Sequence, residues 1–152
     1  MKILALIPES NAKSPARIYR GEGFLERLHG LPHDPTIPLD RRKPIEIDYW
    51  SEEMYRADWS RLMRIAKTYD WLFVMRSAEP RHMEICAKLK AFGLKMWYDL
   101  DDDYSAVEPD NVAQRAFRQP EIQNAWKWFM GNADLITYST KQLLDKFGNG
   151  SL

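Results

Sequence analysis

The sequence predicts a doubly wound parallel α/β domain of about five strands, and three observations carry that expectation. Short apolar runs alternate with longer amphipathic ones along the chain. Several of the amphipathic runs are bounded by helix signals, with Pro, Ser or Thr at the start and Gly at the end. The length, 152 residues, suits a single domain of ordinary size.

The elements follow in order. Ile3 to Ile7 is apolar and ends at Pro8, which suits a buried strand. Ile45 to Trp50 alternates, with Ile45, Ile47 and Tyr49 against Glu46 and Asp48, as expected of a strand with one wetter face. Met54 to Tyr69 reads as one helix, with Met54, Tyr55, Asp58, Trp59, Leu62, Met63, Ile65 and Ala66 near one face. Trp71 to Met75 is a second continuous apolar strand. Pro80 to Phe92 is a helix that opens on proline and stops at Gly93. Leu94 to Leu100 is a strand that runs into acid. Pro120 to Met130 repeats the proline opening, with Gly131 as its stop, and its Trp126, Trp128 and Phe129 read as core. Leu135 to Tyr138 is the fifth strand. Thr140 to Phe147 is a last helix, closed by Gly148. Residues 30–44 hold four prolines (Pro32, Pro35, Pro38, Pro44) and the basic run Arg41-Arg42-Lys43, and read as a loop. The domain is expected to span residues 1–152.

Composition narrows the function classes. With 22 Lys+Arg against 22 Asp+Glu, the formal net charge is zero, so the basic footprint of a general nucleic-acid binder is missing. Apolar residues at 45% allow a real core. The single cysteine, Cys86, excludes an internal disulfide and makes a cytoplasmic setting the expectation. The opening apolar run is too short for a signal peptide, and no run approaches the roughly 20 residues of a membrane span. His29, His33 and His82 lack zinc-site spacing. There is no Gly-x-Ser-x-Gly elbow, no phosphate-binding Gly-Lys-Ser/Thr and no Gly-x-Gly-x-x-Gly; Gly21 and Gly23 come too late for the last.

In an open parallel sheet, ligands sit beyond the C-terminal strand ends. The first strand ends in Glu9-Ser10-Asn11 and leads to Arg17 and Arg20; the second ends in Trp50-Ser51, the third in Arg76-Ser77, the fourth in Asp99-Leu100-Asp101-Asp102-Asp103-Tyr104, the fifth in Ser139-Thr140. Six acids and no base lie between Asp99 and Asp110. Crowded carboxylates need compensation from a cation, a metal, turn amides or solvent. Asp99 or Asp101 could orient arginines or a sugar hydroxyl; the same acids also suit a solvated turn. Arg76 could hold a phosphate or carboxylate, or form an ion pair with Asp99 or Asp101. Arg17 and Arg20 would share a helical face toward an anionic or sugar ligand, or simply open a solvated helix.

Asp70-Trp71-Leu72-Phe73-Val74-Met75-Arg76, followed by a helix and then Lys95-Met96-Trp97-Tyr98-Asp99-Leu100-Asp101-Asp102-Asp103, resembles the N-terminal half of GT-B-type glycosyltransferases. It is closest in kind to the group 1, family 4-like transferases, including phage and bacterial versions. Ala133-Asp134-Leu135-Ile136-Thr137-Tyr138-Ser139-Thr140 with Leu143-Leu144, and the opening strand with Arg17-Ile18-Tyr19-Arg20, are similar too. Pro8-Glu9-Ser10-Asn11 stands where the family usually has a glycine-rich loop. The resemblance implies a Rossmann-like domain that receives the sugar acceptor, with the nucleotide-sugar held by a second domain. It implies Arg17, Arg20, Arg76, Asp99, Asp101, Asp102, Ser139 and Thr140 as binding residues, alongside Glu9 and Ser10 at the first strand end. It implies no metal and no cofactor held by this chain, and little or no transfer by it alone. The expected partners are a sugar acceptor or nucleotide-sugar, and a C-terminal domain or second copy. Two other readings stay open: a non-catalytic carbohydrate-, nucleotide- or protein-binding module, and a Mg²⁺-dependent phosphoryl-transfer enzyme using Asp99 and Asp101.

Overall fold

The computed structural model describes residues 1–7, 23–30, 36, 44–106 and 110–148. Five strands form one sheet: β1 (Lys2–Ile7), β2 (Glu46–Ser51), β3 (Trp71–Met75), β4 (Lys95–Leu100) and β5 (Leu135–Tyr138). Their order is β2-β1-β3-β4-β5 and every neighbouring pair is parallel. This is the expected Rossmann-like α/β fold in a single domain. Among the described residues six α-helices accompany the sheet: α1 (Gly23–Gly30), α2 (Glu52–Ala57), α3 (Trp59–Ala66), α4 (Pro80–Lys90), α5 (Pro120–Asn132) and α6 (Lys141–Phe147), with a 3-10 helix at Val112–Arg118.

The topology decides which face each helix covers. The chain steps from β1 outward to β2, then returns across β1 and moves the other way through β3, β4 and β5. Right-handed crossovers therefore place α1 on one face and the later helices on the other. The core divides accordingly. Leu4, Leu6, Leu72, Val74, Met96, Tyr98 and Leu100 face a large cluster with Leu62, Ile85, Leu89, Trp126 and Phe129. Ile3, Ala5, Ile7, Phe73, Met75 and Trp97 face a smaller one with Leu25 of α1. There Trp97 stands edge-on to Phe73 and Phe24, with centroids 5.2 and 5.4 Å away. Trp126 and Phe129 are buried, as their helical spacing predicts, whereas Trp128 is half-buried and packs against the edge of the same cluster. Cys86 lies sealed in the larger cluster, and burial pushes its thiol pKa up.

Two aspartates tie strand starts together. Asp70, just before β3, accepts the Lys2 N–H at 2.8 Å; Asp134, just before β5, accepts the Met96 N–H at 2.7 Å and the Lys90 ammonium at 2.6 Å. The Lys90 ammonium and the Met96 amide hold the Asp134 carboxyl below its ordinary pKa.

Several boundaries differ from the expectation. The single helix at Met54 to Tyr69 is two helices, because Asp58 closes α2 and its carboxylate accepts the Arg61 N–H at 2.8 Å to open α3. Asp58 and Met54 are accordingly exposed rather than on a buried face. Gly131 lies inside α5, with no left-handed backbone, and the helix ends where Ala133 turns extended. Gly93 does adopt φ 91 beyond α4. At Gly148 the reason for glycine is close approach: a Cβ there would meet the Leu144 carbonyl oxygen at 2.5 Å. Helix α1 went unread, although Phe24, Leu25 and Leu28 have helical spacing. Most of the proline-rich segment at 30–44 lies outside the described residues.

Candidate functional site

In the 2-1-3-4-5 order the strand sequence reverses between β1 and β3, and the crevice beyond their C-terminal ends is the default ligand position of such sheets. Arg76 is the first residue past β3. Its N–H donates to the Asp99 carbonyl at 2.9 Å, so the β3–β4 ladder runs one residue beyond the strand. Arg76 then adopts φ 46, the left-handed region that costs a non-glycine residue about 1–2 kcal/mol. Arg76 is the sole non-glycine residue with positive φ among the described residues.

The side chains around Arg76 hold that conformation. Its Nε lies 3.1 Å from Asp101 Oδ1, and its NH2 donates to Asp102 Oδ2 at 3.0 Å. The Tyr104 hydroxyl donates to the Arg76 carbonyl at 3.3 Å, and the Tyr98 hydroxyl to the next carbonyl, of Ser77, at 2.7 Å. Burial works against the guanidinium charge, but Asp101, Tyr104 and Asp102 outweigh it and raise its pKa above the ordinary arginine value. Burial, with Asp101 adding, pushes Tyr104 up to about 12, so its proton stays on the hydroxyl at neutral pH. Behind this loop, the buried His82 imidazole shares hydrogen bonds with Ser77 Oγ at Nδ1 (2.9 Å) and with the Tyr55 hydroxyl at Nε2 (2.5 Å).

The acidic run is compensated from other elements. Asp101 and Asp102 meet Arg76 from β3; Asp103 meets Lys146 from α6 at 2.5 Å, with Ser105 Oγ donating at 2.6 Å. Burial opposes the Asp103 charge, yet Lys146 and Ser105 overcome it and lower its pKa. Ser139 Oγ donates to the Asp101 carbonyl at 3.0 Å and so braces the same turn from β5.

Not every expected residue joins this rim. Asp99 is buried at 4% exposure, and its Oδ1 accepts from Thr137 Oγ1 at 2.7 Å. Trp97 Nε1 in turn donates to Thr137 Oγ1 at 3.0 Å. These three share the α1 face of the sheet, in the register Trp97–Leu135 and Asp99–Thr137. Asp99 and Asp101 thus meet different partners, Thr137 and Arg76. Among the described residues no group of three or more His, Cys, Asp or Glu side chains could hold a metal. Thr140 is the N-cap of α6, its Oγ1 accepting the Leu143 N–H at 3.3 Å, and is spent on that cap. Ser51 caps α2 in the same way. Glu9, Ser10, Arg17 and Arg20 lie outside the described residues.

What remains is a braced rim of Arg76, Asp101, Asp102 and Ser139, with Tyr104 beneath it. It presents a fixed guanidinium edge and carboxylate oxygens, the donor and acceptor set that grips hydroxyl-rich or anionic groups. Sequence reasoning placed Tyr104 at the tip of the fourth strand without giving it a role, and missed Thr137 and Lys146. No described helix is long and apolar enough to cross a membrane. No protein-family model and no curated protein sequence matches the chain.

Proposed function

We propose that this chain is the acceptor-side domain of a nucleotide-sugar-dependent glycosyltransferase of the GT-B type, working in a cytoplasmic setting with a second domain or a second copy. The observation that supports it best is Arg76, held in a left-handed conformation at the end of β3 by the carboxylates at the end of β4. Strain of this kind persists where surroundings over-determine it, and it gathers at ligand sites. A strand ending in Arg beside a strand ending in Asp-x-Asp-Asp, the motif of the resemblance, forms one paired unit at the C-terminal edge of the sheet and supports this reading.

In this reading the Asp101 and Asp102 oxygens accept from acceptor hydroxyls while Arg76 fixes their direction. Glycosyl transfer needs a closed cleft that orients donor and acceptor and excludes water. A single wall of that cleft binds without turning over. The experiment pairs a binding screen of oligosaccharides and nucleotide-sugars, read by saturation-transfer NMR, with a radiolabelled sugar-transfer assay on the purified chain. The expected result is saturable carbohydrate or nucleotide-sugar binding that Arg76→Ala weakens at least tenfold, without measurable transfer. Robust transfer by the 152-residue chain, or no binding by any sugar ligand, overturns the proposal. Binding that survives Arg76→Ala intact moves the site elsewhere and overturns the role given to this rim.

A further inference from the structure

A groove of about 250 Å³ lies on the other side of the loop that carries Arg76, between the α2–α3 junction and α4. Tyr55, Trp59 and Ile85 line it together with Arg56, Glu84 and two cations of α4, Arg81 and Lys88. In a chain with zero formal net charge this is a local concentration of positive charge. Arg81 and Lys88 are exposed, and neither has a carboxylate within ion-pair distance among the described residues. Lys88 Nζ instead sits over the half-buried Trp59 ring, 5.6 Å from its centroid. The groove is also firmly built. Tyr55 and Ile85 are 2% and 8% exposed, and the Tyr55 hydroxyl is tied through His82 to Ser77.

We propose that this groove binds a small phosphate monoester carried on a single flat ring. The cations answer the phosphate charge, with Arg81 supplying a planar guanidinium suited to two phosphate oxygens. Trp59 and Ile85 give the ring an apolar wall, and Lys88, whose ammonium sits 5.6 Å from the Trp59 centroid, leaves that ring face to the ligand and turns to its phosphate. The volume lies just below that of most ligand pockets, which limits the occupant to about one ring and its phosphate. The groove uses none of the rim residues, so the two sites stand or fall separately.

The test is a ¹H–¹⁵N NMR titration of the full chain with phenyl phosphate, inorganic phosphate and benzyl alcohol as probes. Phenyl phosphate is expected to give saturable shifts confined to residues of α2, α3 and α4, including the Trp59 indole N–H. Inorganic phosphate should bind about tenfold more weakly and benzyl alcohol should not saturate, since each supplies half of the recognition. The double variant Arg81→Gln, Lys88→Gln should lose affinity for phenyl phosphate at least tenfold while staying folded with a melting temperature only slightly lowered, both positions being exposed and the Lys88–Trp59 contact being lost. Trp59→Leu should bring phenyl phosphate down to the level of inorganic phosphate. Unsaturated shifts spread over all basic residues, or affinity unchanged in the double variant, overturn the proposal. An acidic hexapeptide that binds the groove more tightly than phenyl phosphate overturns it in favour of a protein partner.

Discussion

Asp99 and Asp101 are two residues apart on the same strand end, yet they live in different worlds. Asp99 is buried under the α1 face and joined to Thr137 and Trp97, whereas Asp101 stands at the rim against Arg76. Alternation along β4 carries Asp99 onto the face that also holds Trp97, and the strand then ends at Leu100, so Asp101 is free to turn toward β3. Identical side chains are thereby divided between holding the sheet and presenting a surface. The lesson is that strand parity and the point where the ladder stops, rather than the density of acids, decide which carboxylate a ligand can reach.

The comparison can be broken at several points. Trp97→Ala should cost most, about 3–5 kcal/mol, because it empties the centre of the smaller core cluster and removes the donor to Thr137. Urea unfolding followed by circular dichroism measures it. Asp99→Ala should cost about 1–3 kcal/mol in the same assay, the penalty for removing a buried carboxylate and leaving the half-buried Thr137 hydroxyl without its acceptor. If Asp99→Ala proves no worse than Asp101→Ala, the division between the two acids fails.

At the rim, Arg76→Gly and Arg76→Ala both delete the ion pairs but differ in backbone freedom. The glycine variant should be the more stable by about 1 kcal/mol, since it alone relieves the left-handed strain. Equal stabilities would show that Arg76 is not strained. The smallest effect concerns pH. Asp103 and Asp134 both have pKa values lowered below 3.8 by their lysine partners and by amide or hydroxyl donors. Their contribution is therefore present above pH 4 or so and is lost as pH falls through the folded-state values. Both pairs are partly solvated, so each should contribute less than about 1 kcal/mol. Stability curves between pH 2 and 6 for wild type and Asp134→Asn check the sign: the variant should lose less on acidification.

Much of the fold is legible in the residues themselves. The apolar runs at β1 and β3 are continuous because both faces of a central parallel strand are covered, and the wetter alternation of β2 marks it as an edge. Arg76 and the acids were legible as strand tips. The separation of Asp99 from Asp101 was not, because it depends on the β4–β5 register that sets Thr137 beside Asp99. Thr140 was legible as a helix cap, a threonine opening an amphipathic run, and it makes that cap. The split at Asp58 carried a visible signal, an aspartate ahead of an amphipathic run, which the long apolar stripe from Met54 to Ala66 concealed. The basic groove drew residues from two separate stretches, 55–59 and 81–88, so no single window of sequence could show it.

Cys86 offers a built-in gauge of how often the larger core opens. It is the chain's one thiol, it is fully enclosed, and burial keeps it protonated, so an alkylating reagent has nothing to attack in the closed molecule. The rate at which iodoacetamide consumes the protein in native buffer therefore counts excursions that part α4 from the sheet, and it does so on the unaltered polypeptide.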